Sequence, residues 1–258
     1  MKVKTPIPVF VFLAGIFSMN ANADPMIMAH RGASAAAPEN TLSSIKLAIE
    51  MGAKVIEFDV RETSDGALVL FHDAELPRLT GEKGTIESLN LEQVDALDVG
   101  SWFGGGDFSG EKIPSFQAAV EVCLENGVTP LIEHKTGAAA NYMAVLESLE
   151  VIDSVIVQSF NWTFLHEMKK LSPDLKIGAL GSKELSPEKR AQIEALNPDW
   201  VVWKFSDLSE EVFTSLKEEG FLVGLWTVNE KAEVSKWLAR GIDGIITDYP
   251  DKMLKLTD

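Results

Sequence analysis

Two histidines and three carboxylates carry the clearest chemical signal in this sequence. Each lies at the end of a short apolar run that is typical of a β-strand, within His30-Arg31-Gly32, Glu57-Phe58-Asp59, His72-Asp73 and Glu133-His134-Lys135. Carboxylates can bind a divalent cation, and imidazoles can accept or donate a proton near neutral pH. A site that combines both groups is typical of phosphoester hydrolysis or of another metal-dependent hydrolysis.

Alternation along a strand decides which of these side chains share a face. Glu57 and Asp59 are separated by one residue, so both point to the same side, as do Glu133 and Lys135, whereas His134 points to the other. We therefore predict that Glu57, Asp59 and Glu133 bind one cation through oxygen, which favours Mg²⁺ or Ca²⁺ over Zn²⁺. The alternative interpretation is a set of solvated acids near turns. His134 is predicted to be a packed residue.

His30 and His72 are two of only four histidines, and both are predicted to end strands. Their position near three acids favours a role as a general acid and a general base. Arg31 adds a forked cation that suits a phosphate group. Lys135 is predicted to neutralise a phosphate oxygen, and a salt bridge to a neighbouring glutamate is compatible with that role.

The elements that would position these residues alternate along the chain. Nine apolar runs are predicted as strands, at 26–30, 55–60, 68–72, 129–134, 154–159, 176–180, 200–204, 222–228 and 244–248. Helical patterns lie between most of them, near 39–51, 115–126, 137–150, 161–171, 187–196, 208–219 and 230–240. Runs without polar alternation favour parallel strands, and βα units at this length favour a TIM (β/α)8 barrel. The ends of its strands share one rim, where the acids and imidazoles would meet.

Nine strands exceed the eight of such a barrel by one. Residues 55–60 and 68–72 leave no room for a helix between them, and Ser64-Asp65-Gly66 is a turn signal, so this pair is predicted to form a β-hairpin. A turn centred near residue 65 would pair Asp59 with His72. The prediction is a distorted TIM barrel with a β-hairpin extension after the second strand.

The segment from residue 74 to residue 113 is a short insertion that is nevertheless long for a βα loop. It contains the run Gly100-Ser101-Trp102-Phe103-Gly104-Gly105-Gly106. Long loops at this face often carry function, which is compatible with a mobile aromatic flap over the site. A merely solvated loop is the alternative.

Composition limits the classes of partner. The 258 residues carry a formal net charge of −16, which argues against nucleic acid or an anionic membrane surface, because both require a basic surface. A hydrophobic share of 46% is that of a globular protein, and we predict one domain over residues 24–258 that acts on a small molecule. Cys123 is the only cysteine, so an internal disulfide is excluded, and a packed thiol is expected. Composition leaves the oligomeric state open.

Residues 1–23 have the features of a signal peptide. A start with Lys2 and Lys4 precedes an apolar core at 7–17 that is too short to span a bilayer, and Ala21-Asn22-Ala23 supplies a small-x-small cleavage pattern. We predict export, with a periplasmic or secreted mature chain that is not inserted in a membrane. An uncleaved N-terminal anchor is the alternative.

The ordered set of motifs resembles the glycerophosphodiester phosphodiesterase family, of an exported bacterial type. Besides the four segments above, the resemblance includes Pro38-Glu39-Asn40-Thr41, Thr63-Ser64-Asp65-Gly66, Gly100-Ser101-Trp102-Phe103, Gln158-Ser159-Phe160, Trp226-Thr227-Val228-Asn229 and Gly244-Ile245-Ile246-Thr247-Asp248-Tyr249-Pro250. It covers essentially the whole chain after residue 23. One departure is His134, since an aliphatic residue is usual there in the family.

The resemblance implies a distorted TIM barrel that hydrolyses glycerophosphodiesters to sn-glycerol 3-phosphate and an alcohol with a divalent cation. It assigns metal binding to Glu57, Asp59 and Glu133, acid–base catalysis to His30 and His72, phosphate binding to Arg31 and Lys135, and packing near the glycerol to Trp226. A rival on the same fold is a phospholipase-D-like or lysophospholipid-cleaving phosphodiesterase, which would need an apolar channel. A rival of another class is a non-catalytic binding protein for phosphorylated polyols, but both histidines that turnover requires are present.

Overall fold

Strands and helices follow the predicted order in a computed structural model, which describes residues 24–257. The strands are β1 (Met26–His30), β2 (Val55–Glu62), β3 (Leu68–Leu70), β4 (Thr129–His134), β5 (Ile156–Ser159), β6 (Lys176–Gly181), β7 (Trp200–Lys204), β8 (Leu222–Trp226) and β9 (Gly244–Thr247). The helices are α1 (Leu42–Glu50), α2 (Pro77–Thr80), α3 (Leu91–Ala96), α4 (Phe116–Glu125), α5 (Ala139–Ser148), α6 (Trp162–Leu171), α7 (Pro187–Leu196), α8 (Glu210–Glu218), α9 (Lys231–Leu238) and α10 (Pro250–Met253). The predicted signal peptide lies outside the described residues.

Eight parallel strands of the described chain close into a barrel, which confirms the predicted TIM fold. Their order is β1-β9-β8-β7-β6-β5-β4-β2, and β2 pairs back to β1. His30 lies opposite Glu57 across the β1–β2 pair, and Asp59 lies opposite Glu133 across the β2–β4 pair. The carboxyl ends of these three strands are therefore neighbours. No helix within residues 24–257 is both long and apolar enough to cross a membrane.

The predicted hairpin is present, but its register differs by one residue from the prediction. Strand β3 runs antiparallel to β2, with Val60 opposite Leu70. The amide of Phe71 donates to the carbonyl of Asp59 at 3.0 Å, so Phe71 rather than His72 lies opposite Asp59. The strand ends at Leu70, and His72 belongs to the loop that follows it.

The turn explains the difference in register. The amide of Thr63 donates to the carbonyl of Ala67 at 2.8 Å, and the amide of Ala67 donates to the Thr63 hydroxyl at 2.9 Å. These bonds make Asp65 the midpoint of the turn, so residue 59 must face residue 71. The sequence therefore locates the turn to within one residue. Because side chains alternate along a strand, a shift of one residue in register moves every side chain of that strand to the opposite face of the sheet.

The lumen below the rim is filled by apolar side chains. One buried cluster comprises Met28, Val55, Leu131, Ile156, Leu180, Trp200, Val202 and Ile246. Met28, Val55 and Leu131 each lie two residues before a rim residue of the same strand. Because alternate residues share a face, each of them points into the lumen, as does the rim residue that follows it. An apolar layer therefore lies beneath the charged rim and fills the barrel there.

The largest core lies between the barrel and its helices. His134 belongs to this side, as predicted, because its ring stacks on Phe164 with centroids 3.6 Å apart. Cys123 is fully buried on α4, which confirms a packed thiol. Burial of the His134 ring lowers its pKa to about 4, so it packs as a neutral side chain at pH 7.

The insertion has a small core of its own rather than being merely a solvated loop. The insertion residues Leu76, Leu79, Ile86, Val94 and Ile113 are buried together with Phe71 of the preceding loop. At its tip Trp102, Phe103 and Phe108 form two successive edge-to-face contacts, each with centroids 5.6 Å apart. The predicted role as a flap stays a prediction.

Candidate active site

The three predicted metal ligands converge at the rim. Glu57 and Asp59 come from β2 and Glu133 from its neighbour β4, and one oxygen of each lies within 4.8 Å of the others. All three side chains are buried. Strand alternation and the pairing of β2 with β4 thus bring together the carboxylates that the sequence singled out.

Burial and mutual repulsion change the pKa of these carboxyl groups. Burial, followed by the charges of Asp59 and Glu133, raises the pKa of Glu57 well above its ordinary value. Burial and the charge of Asp59 raise the pKa of Glu133 to about 7. Burial also opposes ionisation of Asp59, but Arg31 and Lys135 outweigh it and hold the pKa of that carboxyl below its usual range. The cluster therefore favours either a proton or a cation between its acids.

The unpartnered oxygens of the cluster fit a metal ion. Glu57 Oε1 and Asp59 Oδ1 are buried and accept no hydrogen bond from residues 24–257, although the Lys135 ammonium lies 3.3 Å from Asp59 Oδ1. Buried polar atoms normally make hydrogen bonds, so two carboxylate oxygens of one buried cluster that accept none indicate a place for a cation. An all-oxygen donor set suits a hard divalent ion such as Mg²⁺ or Ca²⁺.

Arg31 and Lys135 supply the nearby positive charge. Arg31 Nε lies 3.1 Å from Asp59 Oδ2, and the Arg31 amide donates to Glu57 Oε2 at 3.0 Å. Lys135 Nζ lies 2.6 Å from Glu133 Oε1 and 3.3 Å from Asp59 Oδ1. Both predicted phosphate-binding residues therefore lie against the acidic cluster, and the expected Lys135 salt bridge is present.

The chain turns sharply after Arg31 to place that residue. Arg31 and Gly32 both have positive φ, at 55° and 79°. A Cβ at residue 32 would lie 2.5 Å from the backbone of Ser44, so only glycine allows this approach of the loop to α1.

Asn40 holds Asp59 from a second side. Its side chain donates to Asp59 Oδ2 at 2.8 Å and accepts from the Asp59 amide at 3.0 Å. Asn40 itself has a φ of 57°, a conformation that asparagine tolerates better than most residues. The residue fixes one carboxylate of the cluster while it leads into the Thr41 cap of α1.

His30 is oriented by the carboxylate of Asp248, the residue that follows β9. Its Nδ1 lies 2.6 Å from Asp248 Oδ1, and its Nε2 lies 4.0 Å from Glu57 Oε2. Asn229 donates to the other Asp248 oxygen at 2.6 Å, and Ser34 donates to Oδ1 at 3.0 Å. Burial opposes ionisation of Asp248, but the bond with His30 outweighs it and lowers the pKa of that carboxyl to about 2. One ring nitrogen is thus occupied and the other faces the acids.

His72 has the same type of partner on the opposite side. Its Nδ1 lies 2.8 Å from Asp73 Oδ1, and Arg61 donates to its backbone carbonyl at 2.8 and 3.2 Å. Burial lowers the pKa of His72. The charge of Asp59 opposes this shift, whereas the charges of Arg31 and Lys135 lower the pKa further. The imidazole is therefore favoured in its neutral form at pH 7.

Trp226 ends β8 at the rim, opposite Lys204 of the neighbouring strand β7. Its Nε1 donates to the carbonyl of Gly181 at 3.2 Å, and its ring meets Phe160 edge to face with centroids 5.5 Å apart. Phe160 is about half exposed. The two rings form an apolar surface that a bound molecule could contact.

Several residues of the site belong to the family-like motifs, but their pattern in the sequence predicts no role for them. Asp248 follows β9 directly, so its position at a strand end was the available signal. Asn229, Asn40 and Glu39 lie in loops without periodicity, and only the fold brings them to the rim. Their contacts show that the site depends on loop residues as much as on strand ends.

A closed (β/α)8 barrel with buried acids and two oriented imidazoles at the rim formed by the carboxyl ends of its strands is the architecture of a barrel enzyme. Comparison with known proteins agrees. Residues 30–252 match the model of the glycerophosphoryl diester phosphodiesterase family.

Individual relatives match over nearly their full length. A glycerophosphodiester phosphodiesterase of Caldanaerobacter subterraneus is 34% identical over 90% of this chain and 97% of its own, and the Bacillus subtilis protein YhdW is 34% identical over 89% and 96%. An Oleispira antarctica phosphodiesterase, solved with the product sn-glycerol-3-phosphate, superposes with a TM-score of 0.85 at 31% identity, covering 90% of this chain and 96% of its own. The chain belongs to the glycerophosphoryl diester phosphodiesterase family, and it is an enzyme of that class.

Proposed function

We propose that the enzyme hydrolyses glycerophosphodiesters to sn-glycerol 3-phosphate and an alcohol with one divalent cation, Mg²⁺ or Ca²⁺. The observation that carries the proposal is the convergence of three buried carboxylates and two carboxylate-oriented imidazoles at one rim. Family membership and the product named for the Oleispira antarctica relative support this substrate class. The exported, periplasmic or secreted location rests on the sequence of residues 1–23.

Glu57, Asp59 and Glu133 are the residues that would hold the cation. When bound, the cation would offset the negative charge that develops on the phosphodiester oxygens. Arg31 and Lys135 orient the same phosphate, because both cations already lie against the cluster. Trp226 packs against the glycerol with the ring that it turns to the rim.

His72 and His30 act as base and acid. The lowered pKa of His72 leaves its ring neutral at pH 7, so it can accept the proton of the nucleophile. His30, held by the ionised Asp248, donates a proton to the leaving alcohol, and Asp248 stabilises the charged ring before that transfer. Asp73 and Asp248 each occupy Nδ1, which leaves Nε2 of both rings for proton transfer.

The nucleophile is either water or the 2-hydroxyl of the glycerol itself. Attack by the hydroxyl would give a cyclic phosphate that water then opens. Trapping a cyclic glycerol phosphate would indicate the second route, and incorporation of solvent oxygen without that intermediate would indicate the first.

The test is release of glycerol 3-phosphate from a panel of glycerophosphodiesters, followed by phosphorus NMR, with and without Mg²⁺ or Ca²⁺. Release that requires a cation and is abolished by chelator supports the proposal. Full activity in excess chelator would remove the metal role. Cleavage of lysophosphatidylcholine in preference to glycerophosphocholine would instead favour the lysophospholipid-cleaving alternative.

A further inference from the structure

Arg78, on α2 of the insertion, holds two carboxylates that both lead to the active site. Its Nη1 and Nη2 donate to Glu39 at 2.8 and 2.7 Å, and its Nε and Nη2 donate to Asp73 at 2.5 and 2.9 Å. The guanidinium therefore binds each carboxylate through two nitrogens, a geometry that lysine cannot reproduce.

Each of these carboxylates also binds a residue of the proposed machinery. Asp73 Oδ1 lies 2.8 Å from His72 Nδ1, and Glu39 Oε1 accepts from Arg31 Nη1 at 2.8 Å. One guanidinium thus connects the ring proposed as base with the arginine proposed to bind phosphate. One carboxylate oxygen of Glu39, one of Asp73 and one ring nitrogen of His72 lie within 4.8 Å of one another. The two carboxylates would therefore repel each other if Arg78 were removed.

The insertion gives Arg78 a fixed position. Leu76 and Leu79 on either side of it are buried in the insertion's own core. Trp102 lies under the guanidinium at 5.8 Å from ring centroid to Cζ, and its Nε1 donates to the carbonyl of Val99 at 2.7 Å. The segment therefore delivers one side chain from outside the barrel to the edge of the site.

Stability of the fold does not account for this arrangement. Arg78 is 44% exposed, and exposed ion pairs contribute little to the free energy of unfolding. Orientation of reacting groups is far more sensitive, since a displacement of about 1 Å can reduce turnover by roughly a hundredfold.

We propose that Arg78 is a positioning residue, which fixes His72 through Asp73 and Arg31 through Glu39, and that the insertion serves to present it. The inference rests on the proposed phosphodiester hydrolysis. It gives residues 74–113 a role in the chemistry that does not require them to move over the substrate.

The test compares Arg78→Ala and Arg78→Lys with the wild type, assaying glycerol 3-phosphate release in the presence of cation. We expect Arg78→Ala to lower kcat by about ten- to a hundredfold with a smaller change in KM. The kcat of Arg78→Lys should lie between those of Arg78→Ala and the wild type. Guanidinium chloride at a non-denaturing concentration should restore activity to Arg78→Ala, whereas methylammonium should not. A structural role would give neither this kcat loss nor this selective rescue.

Arg240→Ala is the matched control. Arg240 also lies over a tryptophan, 5.8 Å from the ring of Trp237, and also pairs with a glutamate, Glu210, but it follows α9 at the other end of the barrel. Its kcat should equal that of the wild type, with and without guanidinium.

Three outcomes would overturn the inference: an Arg78→Ala kcat within twofold of the wild type, an equal loss in Arg240→Ala, or no rescue by guanidinium. If Arg78→Ala does not fold, Arg78→Lys carries the same comparison, and full kcat in that variant overturns the inference. A wild type that releases no glycerol 3-phosphate from any substrate contradicts the proposed function itself, which separates the two failures.

Discussion

The rim of the barrel divides into two halves of four adjacent strands that differ in chemistry. Strands β9, β1, β2 and β4 carry the buried acids, the side chains of Arg31 and Lys135, and His30. Ion pairs of 2.6 to 3.3 Å join these groups. Strands β5 to β8 carry the aromatic pair Phe160 and Trp226, with the exposed Lys204 opposite Trp226. The first half holds groups that can exchange a proton or bind a cation, and the second presents aromatic rings that a bound molecule could contact.

The difference extends to how each half is stabilised. In the charged half, side chains are held by residues from loops that follow other strands, such as Asn229 for Asp248 and Asn40 for Asp59. In the aromatic half, contact between rings and the bond from Trp226 to Gly181 suffice. Preorganised electrostatics needs such support, because each dipole must be fixed before the charge develops. Reaction rate should therefore depend on the charged half and substrate affinity on the aromatic half.

The largest effect is expected from the imidazoles. His30→Ala and His72→Ala should each lower kcat by about a hundredfold or more, because general acid or base catalysis is lost. The measurement is glycerol 3-phosphate release at saturating substrate, with folding checked by circular dichroism. His166→Ala, on α6 outside the barrel, is the control and should retain wild-type kcat. Near-normal turnover in either folded rim variant would contradict its assignment.

Cation binding should stabilise the protein through the charged half alone. A ligand that binds only the folded state at one hundred times its Kd contributes about 2.7 kcal/mol to the free energy of unfolding. Mg²⁺ or Ca²⁺ should therefore raise the Tm of the wild type, and Glu57→Gln should abolish this rise. Trp226→Leu should show the full rise, and a loss of cation response in that variant would break the division between the halves.

The metal-free charged half should also make stability depend on pH. Glu133 has a folded pKa of about 7, above that of an exposed glutamate, so the folded state retains a proton that the unfolded state has lost. Stability in chelator should therefore fall as pH rises from about 4.5 to 7. Glu133→Gln should reduce this decline in a denaturant titration at each pH, and the raised pKa of Glu57 accounts for what remains. A metal-free wild type whose stability rises over this range would contradict the raised pKa.

Sequence was sufficient for the part of the site that obeys strand alternation. Glu57, Asp59 and Glu133 could be assigned to one point because alternate residues share a face and strand ends share a rim. It was insufficient where position depends on a turn or a loop. The turn signal predicts His72 opposite Asp59, but His72 lies one residue further on, and Arg78 lies in an insertion whose pattern has no regular period.

The smallest effect is expected in the aromatic half. An aromatic contact contributes roughly 1 kcal/mol beyond its buried area, which corresponds to about fivefold in a binding constant. Trp226→Leu should therefore raise KM by about three- to tenfold and leave kcat nearly unchanged, the pattern of binding that is equal in the ground and transition states. Phe160→Leu, which alters the partner ring, should shift KM in the same direction by less. A kcat loss in Trp226→Leu as large as that of His30→Ala would mean that the ring takes part in the reaction, and the two halves would then not be separable.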